Sequence, residues 1–180
     1  MAKAVSGPVI RPSRSEDLDV LQAIYAHYVL NSRNTMEFQP PDLAEMAQRR
    51  AAVLERGLPH LVAEEDGRLL GFAYAGPYRA RPGYAHTVED SIYLAPEAIG
   101  CGIGRALLGR VIESCTEAGF RQMVAVIGDG GNTASIRLHE ALGFHIAGRL
   151  EAVCWKFGRW SDCVLMQRKL GAGKEGTPPY

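Results

Sequence analysis

Ile99-Gly100-Cys101-Gly102-Ile103-Gly104-Arg105-Ala106 follows a strand-like run and opens a helix-like one. Glycines at alternate positions strip side chains from the loop, so backbone N–H groups can close on a phosphate at a helix N-terminus. A Walker loop would continue as Gly-Lys-Ser/Thr, and no such triplet follows. The dinucleotide fingerprint would carry its third glycine where this chain has Arg105. Pro96-Glu97-Ala98 also separates strand from loop, unlike a tight strand-to-helix turn. The pattern points to a pyrophosphate joined to some other group, with a plain glycine-rich turn as the competing reading.

The rest of the chain bounds the answer. Its 180 residues fit one α/β domain with enough apolar residues for a sizeable core. Lys plus Arg and Asp plus Glu both total 20, which speaks against a nucleic-acid or membrane surface. No apolar run is long enough to span a bilayer, and no secretory signal precedes the first strand. Cys101, Cys115, Cys154 and Cys163 lack metal-ligand spacing and read as reduced thiols of a cytoplasmic protein that needs no metal. Residues 1–7 and 171–180 read as disordered tails around a single domain over 8–170.

Working outward, residues 8–12 form a first strand, followed by a capping box of Ser13 and Glu16. Leu21, Ile24, Tyr25 and Tyr28 then keep helical spacing. A second helix starts near Asp42, with Glu45 as capping partner, and stops before Gly57. Residues 61–65 and 68–75 make a hairpin about Asp66-Gly67. A strand over 85–94 leads into the glycine loop, whose helix turns Ile103, Ala106, Leu107, Val111 and Cys115 to one side. Residues 123–127 are a short buried strand, and Asn132 caps a helix ending at Gly143. Two more strands surround Lys156-Phe157-Gly158-Arg159. The order is β-α-α-β-β-β-α-β-α-β-β, a mixed sheet with helices on its faces.

That order, the loop before the long helix, and Asn132 followed by Ala134 and Gly143-Phe144 resemble the GCN5-related N-acetyltransferase (GNAT) superfamily. Phe72-Ala73-Tyr74-Ala75-Gly76-Pro77-Tyr78-Arg79-Ala80-Arg81 and Thr87-Val88-Glu89-Asp90-Ser91-Ile92-Tyr93 narrow the resemblance to its phosphinothricin and methionine sulfone/sulfoximine acetyltransferase branch. Ala125-Val126-Ile127-Gly128, Ser135-Ile136-Arg137-Leu138-His139-Glu140 and Lys156-Phe157-Gly158-Arg159-Trp160-Ser161-Asp162 continue it across residues 8–170. The resemblance implies the GNAT fold, a mostly antiparallel central sheet of about seven strands flanked by about four helices. It also implies acetyl-coenzyme A as co-substrate and a homodimer. Ile99 stands where the superfamily signature has Arg or Gln, which removes a side chain but no backbone donor.

Acetyl transfer to an amine needs a neutral amine, a polarised thioester and protonation of the departing thiolate. Alternation puts Thr87, Glu89, Ser91 and Tyr93 on one face of their strand, and His86, Val88, Asp90 and Ile92 on the other. Glu89 is the candidate general base, directly or through a water, and the resemblance implies the same role. A structural ion pair with a nearby Arg is its bland alternative. His139 stands where the superfamily carries a proton-donating tyrosine; it is a candidate acid or a residue that only positions substrate.

By resemblance, Asn132 touches the pantetheine or phosphate arm of the coenzyme. Backbone groups of Ser91, Ile92 and Tyr93 would meet the pantetheine amides, and Ile99, Gly100, Cys101, Gly102, Ile103 and Gly104, with Arg105 beside them, would hold the pyrophosphate. Cys101 reads as a small solvent-facing side chain, with thiol modification as an alternative. Arg79, Arg81 and Tyr84 suit an amino-acid-like acceptor, because a guanidinium matches a carboxylate or phosphinate. Phe38 resembles an acceptor-pocket wall, while Glu37 departs from the small polar residue associated with phosphinothricin enzymes. Trp155 and Trp160 suit packing or a dimer interface.

The expected activity is acetylation of the α-amino group of phosphinothricin, methionine sulfoximine or methionine sulfone, by direct transfer. Another amine (a polyamine, an aminoglycoside or a protein N-terminus) or a non-catalytic acyl-coenzyme A sensor are the alternatives.

Overall fold

A computed structural model describes residues 7–178. Seven strands form one sheet in the order β1-β2-β3-β4-β5-β7-β6. They are β1 (Val9–Pro12), β2 (His60–Glu65), β3 (Arg68–Pro77), β4 (Thr87–Leu94), β5 (Gln122–Ile127), β6 (His145–Lys156) and β7 (Arg159–Lys169). The helices are α1 (Leu18–Asn31), α2 (Leu43–Leu54), α3 (Ile103–Glu117) and α4 (Thr133–Ala141). All neighbours pair antiparallel except β4 and β5, as the GNAT resemblance implies.

Local chemistry explains most boundaries. Asp66 and Gly67 have φ of 48° and 77°, the left-handed pair that a two-residue hairpin between β2 and β3 needs. Phe157 and Gly158 repeat it between β6 and β7 at 52° and 72°. Asp42 caps α2, its carboxylate accepting from the Glu45 N–H at 2.8 Å. Two sequence expectations change. Ser13 caps nothing: its Oγ accepts from Arg50 Nε at 2.7 Å, while Asp17 accepts the Arg14 N–H at 2.7 Å and opens a short 3-10 turn over Ser15–Asp17. A charge-assisted donor from α2 outcompetes a local hydroxyl cap. The strand expected over 85–94 begins at Thr87, because Pro82–Tyr84 forms a 3-10 turn that Ala85 closes.

Burial follows the alternation. Val88 and Asp90 of β4, with Met123, Ala125 and Ile127 of β5, are buried beneath Leu107, Leu108, Val111 and Cys115 of α3. Tyr25 and Tyr28 of α1 cover the opposite face at Tyr93, with centroids 4.8 and 5.6 Å away. Residues 171–178 fold into turns on which Arg121 donates to the carbonyls of Gly173, Glu175 and Thr177 at 3.2–3.5 Å. Residues 1–6, 179 and 180, which the sequence reading assigns to tails, lie outside the described residues.

Candidate active site

The site begins where the sheet stops being a sheet. The β4–β5 ladder ends at Asp90↔Ala125, yet β4 continues to Leu94 and β5 to Ile127. Each strand keeps its outer partner there: Ser91 to Leu94 pair with Tyr74 to Gly71, and Val126 and Ile127 with Leu165 and Val164. The inner edge of Ser91–Leu94 therefore presents backbone donors and acceptors with no strand opposite them. Tyr28 Oη donates to the carbonyl of Leu94 at 2.7 Å and steadies the end of the strand.

The glycine loop lies just beyond. Gly100 and Gly102 have φ of 83° and 81°, where a Cβ would be strained, and Gly102 is the N-cap of α3. The first N–H groups of α3 have no partner within the helix, and the helix dipole adds partial positive charge. Gly104 is buried where a Cβ would meet Leu138 and Leu94 at 3.3 and 3.4 Å, so its hydrogen lets α3 approach α4 and β4 closely. Ile99, Cys101 and Arg105 are exposed on this loop. A free strand edge beside bare, side-chain-free donors fits a coenzyme with amides along its arm and a pyrophosphate at its end.

Glu89 lies on the open face of β4 at the neck of this cleft and is half-buried. Burial raises its pKa above the ordinary carboxylate range; Arg79 opposes that and Asp90 adds to it. Arg79 lies exposed over the Tyr78 ring at 4.5 Å, and Tyr78 meets Tyr84 edge-on at 5.7 Å. Arg81 is exposed and precedes the turn at Pro82–Tyr84. Phe38 is 68% exposed, so the chain by itself places nothing over it.

The other acceptor-side segment, residues 32–42, is held by contacts that sequence reading missed. Tyr25 Oη donates to Glu37 Oε1 at 2.8 Å, which leaves Thr35 Oγ1 to donate to Tyr25 at 3.1 Å. Arg49 donates to the same Glu37 carboxylate at 2.7 Å. Arg33 bridges Asp129 and Ser161 at 2.7 and 2.9 Å. Asn132 does two things at once: its Oδ1 accepts the Ser135 N–H at 3.1 Å, capping α4, and its Nδ2 donates to Asn34. Apart from the Asn132 cap, which the sequence announces, these partners are not neighbours in sequence, so no local pattern gives them.

His139 points away from Glu89's face. It is 2% exposed, edge-on to Phe144 at 4.9 Å, with Nε2 3.0 Å from Asp90 Oδ2 and Nδ1 2.7 Å from the Ser135 carbonyl. Glu89 and His139 thus serve opposite faces of one strand, and Asp90 joins the second of them to β4. Among the described residues no cluster of three or more His, Cys, Asp or Glu could hold a metal ion, and no helix is long and apolar enough to cross a membrane.

A sheet parted between two parallel strands, ahead of a glycine-capped helix, is the arrangement that the resemblance to acyl-coenzyme A-dependent transferases implies. The profile of the Acetyltransferase (GNAT) family matches residues 21–144. A phosphinothricin N-acetyltransferase of Alcaligenes faecalis is 53% identical over 94% of this chain and 86% of its own. An L-methionine sulfoximine/L-methionine sulfone acetyltransferase of Salmonella typhimurium is 38% identical over 89% and 94%. A phosphinothricin acetyltransferase of Sinorhizobium meliloti, solved with acetyl-coenzyme A, superposes with a TM-score of 0.94 at 46% identity, over 97% of this chain and 94% of that one. The chain belongs to the GNAT family and is an acetyl-coenzyme A-dependent N-acetyltransferase.

Proposed function

We propose that this enzyme acetylates the α-amino group of a small amino-acid analogue, with phosphinothricin, methionine sulfoximine and methionine sulfone as the leading acceptors. The names of its relatives support that substrate class. The observation that carries the mechanism is Glu89: a half-buried carboxylate of raised pKa, at the neck of the cleft, within the field of Arg79. A raised pKa makes it a better base toward an ammonium group, and it removes that proton directly or through one water. Arg79 and Arg81 take the acceptor's carboxylate or phosphinate, with Tyr84 beside them. Phe38 and the Thr35–Glu37 segment close the acceptor side.

Acetyl-coenzyme A supplies the activated acetyl group. The backbone edge of Ser91, Ile92 and Tyr93 holds its amide arm, and the loop from Ile99 to Gly104, with Arg105, holds its pyrophosphate. Asn132 contacts the arm, and His139 serves the same step from the far face of β4. The enzyme works in the cytoplasm as a homodimer, and resistance to a phosphinothricin-type herbicide is the phenotype it would confer.

Free-thiol release from acetyl-coenzyme A tests the reading across phosphinothricin, methionine sulfone, free amino acids, spermidine and a short peptide. Saturable turnover on the first two alone supports it. Turnover on spermidine or the peptide instead would replace the acceptor class. In parallel, Glu89→Gln should lose about a hundredfold in turnover; full activity at every pH removes Glu89 as base.

A further inference from the structure

Asp90 and His139 form a closed pair inside the fold that Glu89's chemistry leaves unexplained. Asp90 stands within β4 at its last pairing with β5 and is 6% exposed. A carbonyl oxygen only accepts, so the 2.7 Å contact with Ser135 puts a hydrogen on Nδ1 of His139. The 3.0 Å contact between Nε2 and Asp90 Oδ2 also needs a proton, since two lone pairs would repel. The pair therefore holds one proton more than an imidazole beside a carboxylate.

Its surroundings leave few other partners. Asp90 Oδ1 is buried and has no hydrogen-bond partner among the described residues, so this carboxylate relies on the ring for compensation. From α3, Cys115 faces the pair; burial, with Asp90 adding to it, pushes that thiol up to about 12 and keeps it neutral. Glu89, across the strand, feels Asp90 only as a like charge. The Arg168 guanidinium of β7 lies 3.2 Å from where a Cβ on Gly143 would stand, past the end of α4. Burial disfavours a charged ring at His139, but the bond and charge of Asp90 and the Ser135 carbonyl outweigh it, and the pKa is raised.

We propose that Asp90 is a positioning residue for His139: it locks the ring between Ser135 and β4 and keeps the second proton on Nε2, so that His139 enters the acetyl-transfer step as an imidazolium. When that proton passes to the thiolate released as the thioester C–S bond breaks, Nδ1–H stays on Ser135, and the buried Asp90 carboxylate is left facing a bare nitrogen. That arrangement is costly, so the proton returns from solvent to the same place. The role in turnover rests on the acetyltransferase reading; the proton itself can be observed without any substrate.

The test is nitrogen-15 NMR of the full chain, labelled at histidine, at about pH 8, where an ordinary histidine is neutral. His139, assigned by its loss in His139→Phe, should carry hydrogen on both ring nitrogens. In Asp90→Asn only Nδ1 should carry one, because an amide can donate to Nε2 but supplies no charge. Turnover should then fall about tenfold or more, with the alkaline limb of the kcat profile moved to lower pH and KM for acetyl-coenzyme A little changed. A bare Nε2 in the wild type overturns the proposal whether or not the variant folds. So does an Asp90→Asn enzyme whose ring and pH profile are those of the wild type. A doubly protonated ring that Asp90→Asn reduces to Nδ1–H, in a protein inactive on every amine tried, would sink the acceptor assignment and leave Asp90's hold on the proton supported.

Discussion

The ammonium of Lys156, at the end of β6 and only 1% exposed, donates to the backbone carbonyl of Thr35 at 2.8 Å. Burial pushes its pKa down against the pull of Glu37. One buried cation thus pins the acceptor segment to the β6–β7 hairpin. Lys156→Met would leave the Thr35 carbonyl unpaired, at a cost of about 1–3 kcal/mol. Chemical denaturation should show that loss, and steady-state kinetics should show a higher KM for the amine with KM for acetyl-coenzyme A nearly unchanged.

Glu89→Gln should melt at a higher temperature than the wild type near neutral pH. Burial raises the folded pKa of Glu89, so the folded protein binds that proton more tightly than the unfolded chain does. Wild-type stability therefore falls as pH rises from the unfolded value through the folded one, and glutamine lacks that loss. Below about pH 4 the carboxyl is protonated in both states, and the melting curves should converge. Calorimetry across the range checks the sign; a glutamine variant that melts lower at neutral pH refutes it.

Gly100→Ala and Gly102→Ala separate stability from cofactor affinity. A Cβ at either position meets nothing within 4 Å, so the folded chain bears only the strain of a positive φ, about 1–2 kcal/mol each. The donors beside those positions would be shifted and partly screened. Isothermal titration should find acetyl-coenzyme A binding weakened by more than the loss of stability explains. Unchanged affinity would move the pyrophosphate off this loop.

Trp155 and Trp160 are register partners on β6 and β7, edge-on at 5.2 Å, and stand 49% and 61% exposed. Ile146, Leu150, Val153 and Phe157 of the same hairpin are exposed apolar side chains as well. Sedimentation of the wild type should give a dimer, and Trp155→Glu with Trp160→Glu a monomer. A wild type that sediments as a monomer removes the homodimer.

How much of this was legible in the chain depends on the distance between partners. Asp66-Gly67 and the glycine loop were readable because their constraints lie within a few residues. The alternation of β4 correctly put Glu89 and Asp90 on opposite faces, since a strand's period holds wherever the strand lies. Ser13 misled because Arg50, 37 positions on, takes its hydroxyl. The pairing of Asp90 with His139 went unread because the two stand 49 positions apart and meet only in the folded chain. The anchors of residues 32–42 come from α1, α2, the loop after β5 and β7, and no window of sequence contains them.

The parting of β4 from β5 has a consequence for what can enter. An exposed strand edge ordinarily recruits another strand and invites aggregation. Here the vacant edge lies inside the sheet, between two strands whose outer neighbours hold them in place. A second polypeptide cannot lie flat along it without prising the sheet apart. A slender, unbranched chain that carries its own amides can, and it would complete the interrupted ladder from within. Occupancy and rigidity are then linked: the melting temperature should climb with acetyl-coenzyme A concentration, and the fold itself would report how much activated acyl group is at hand.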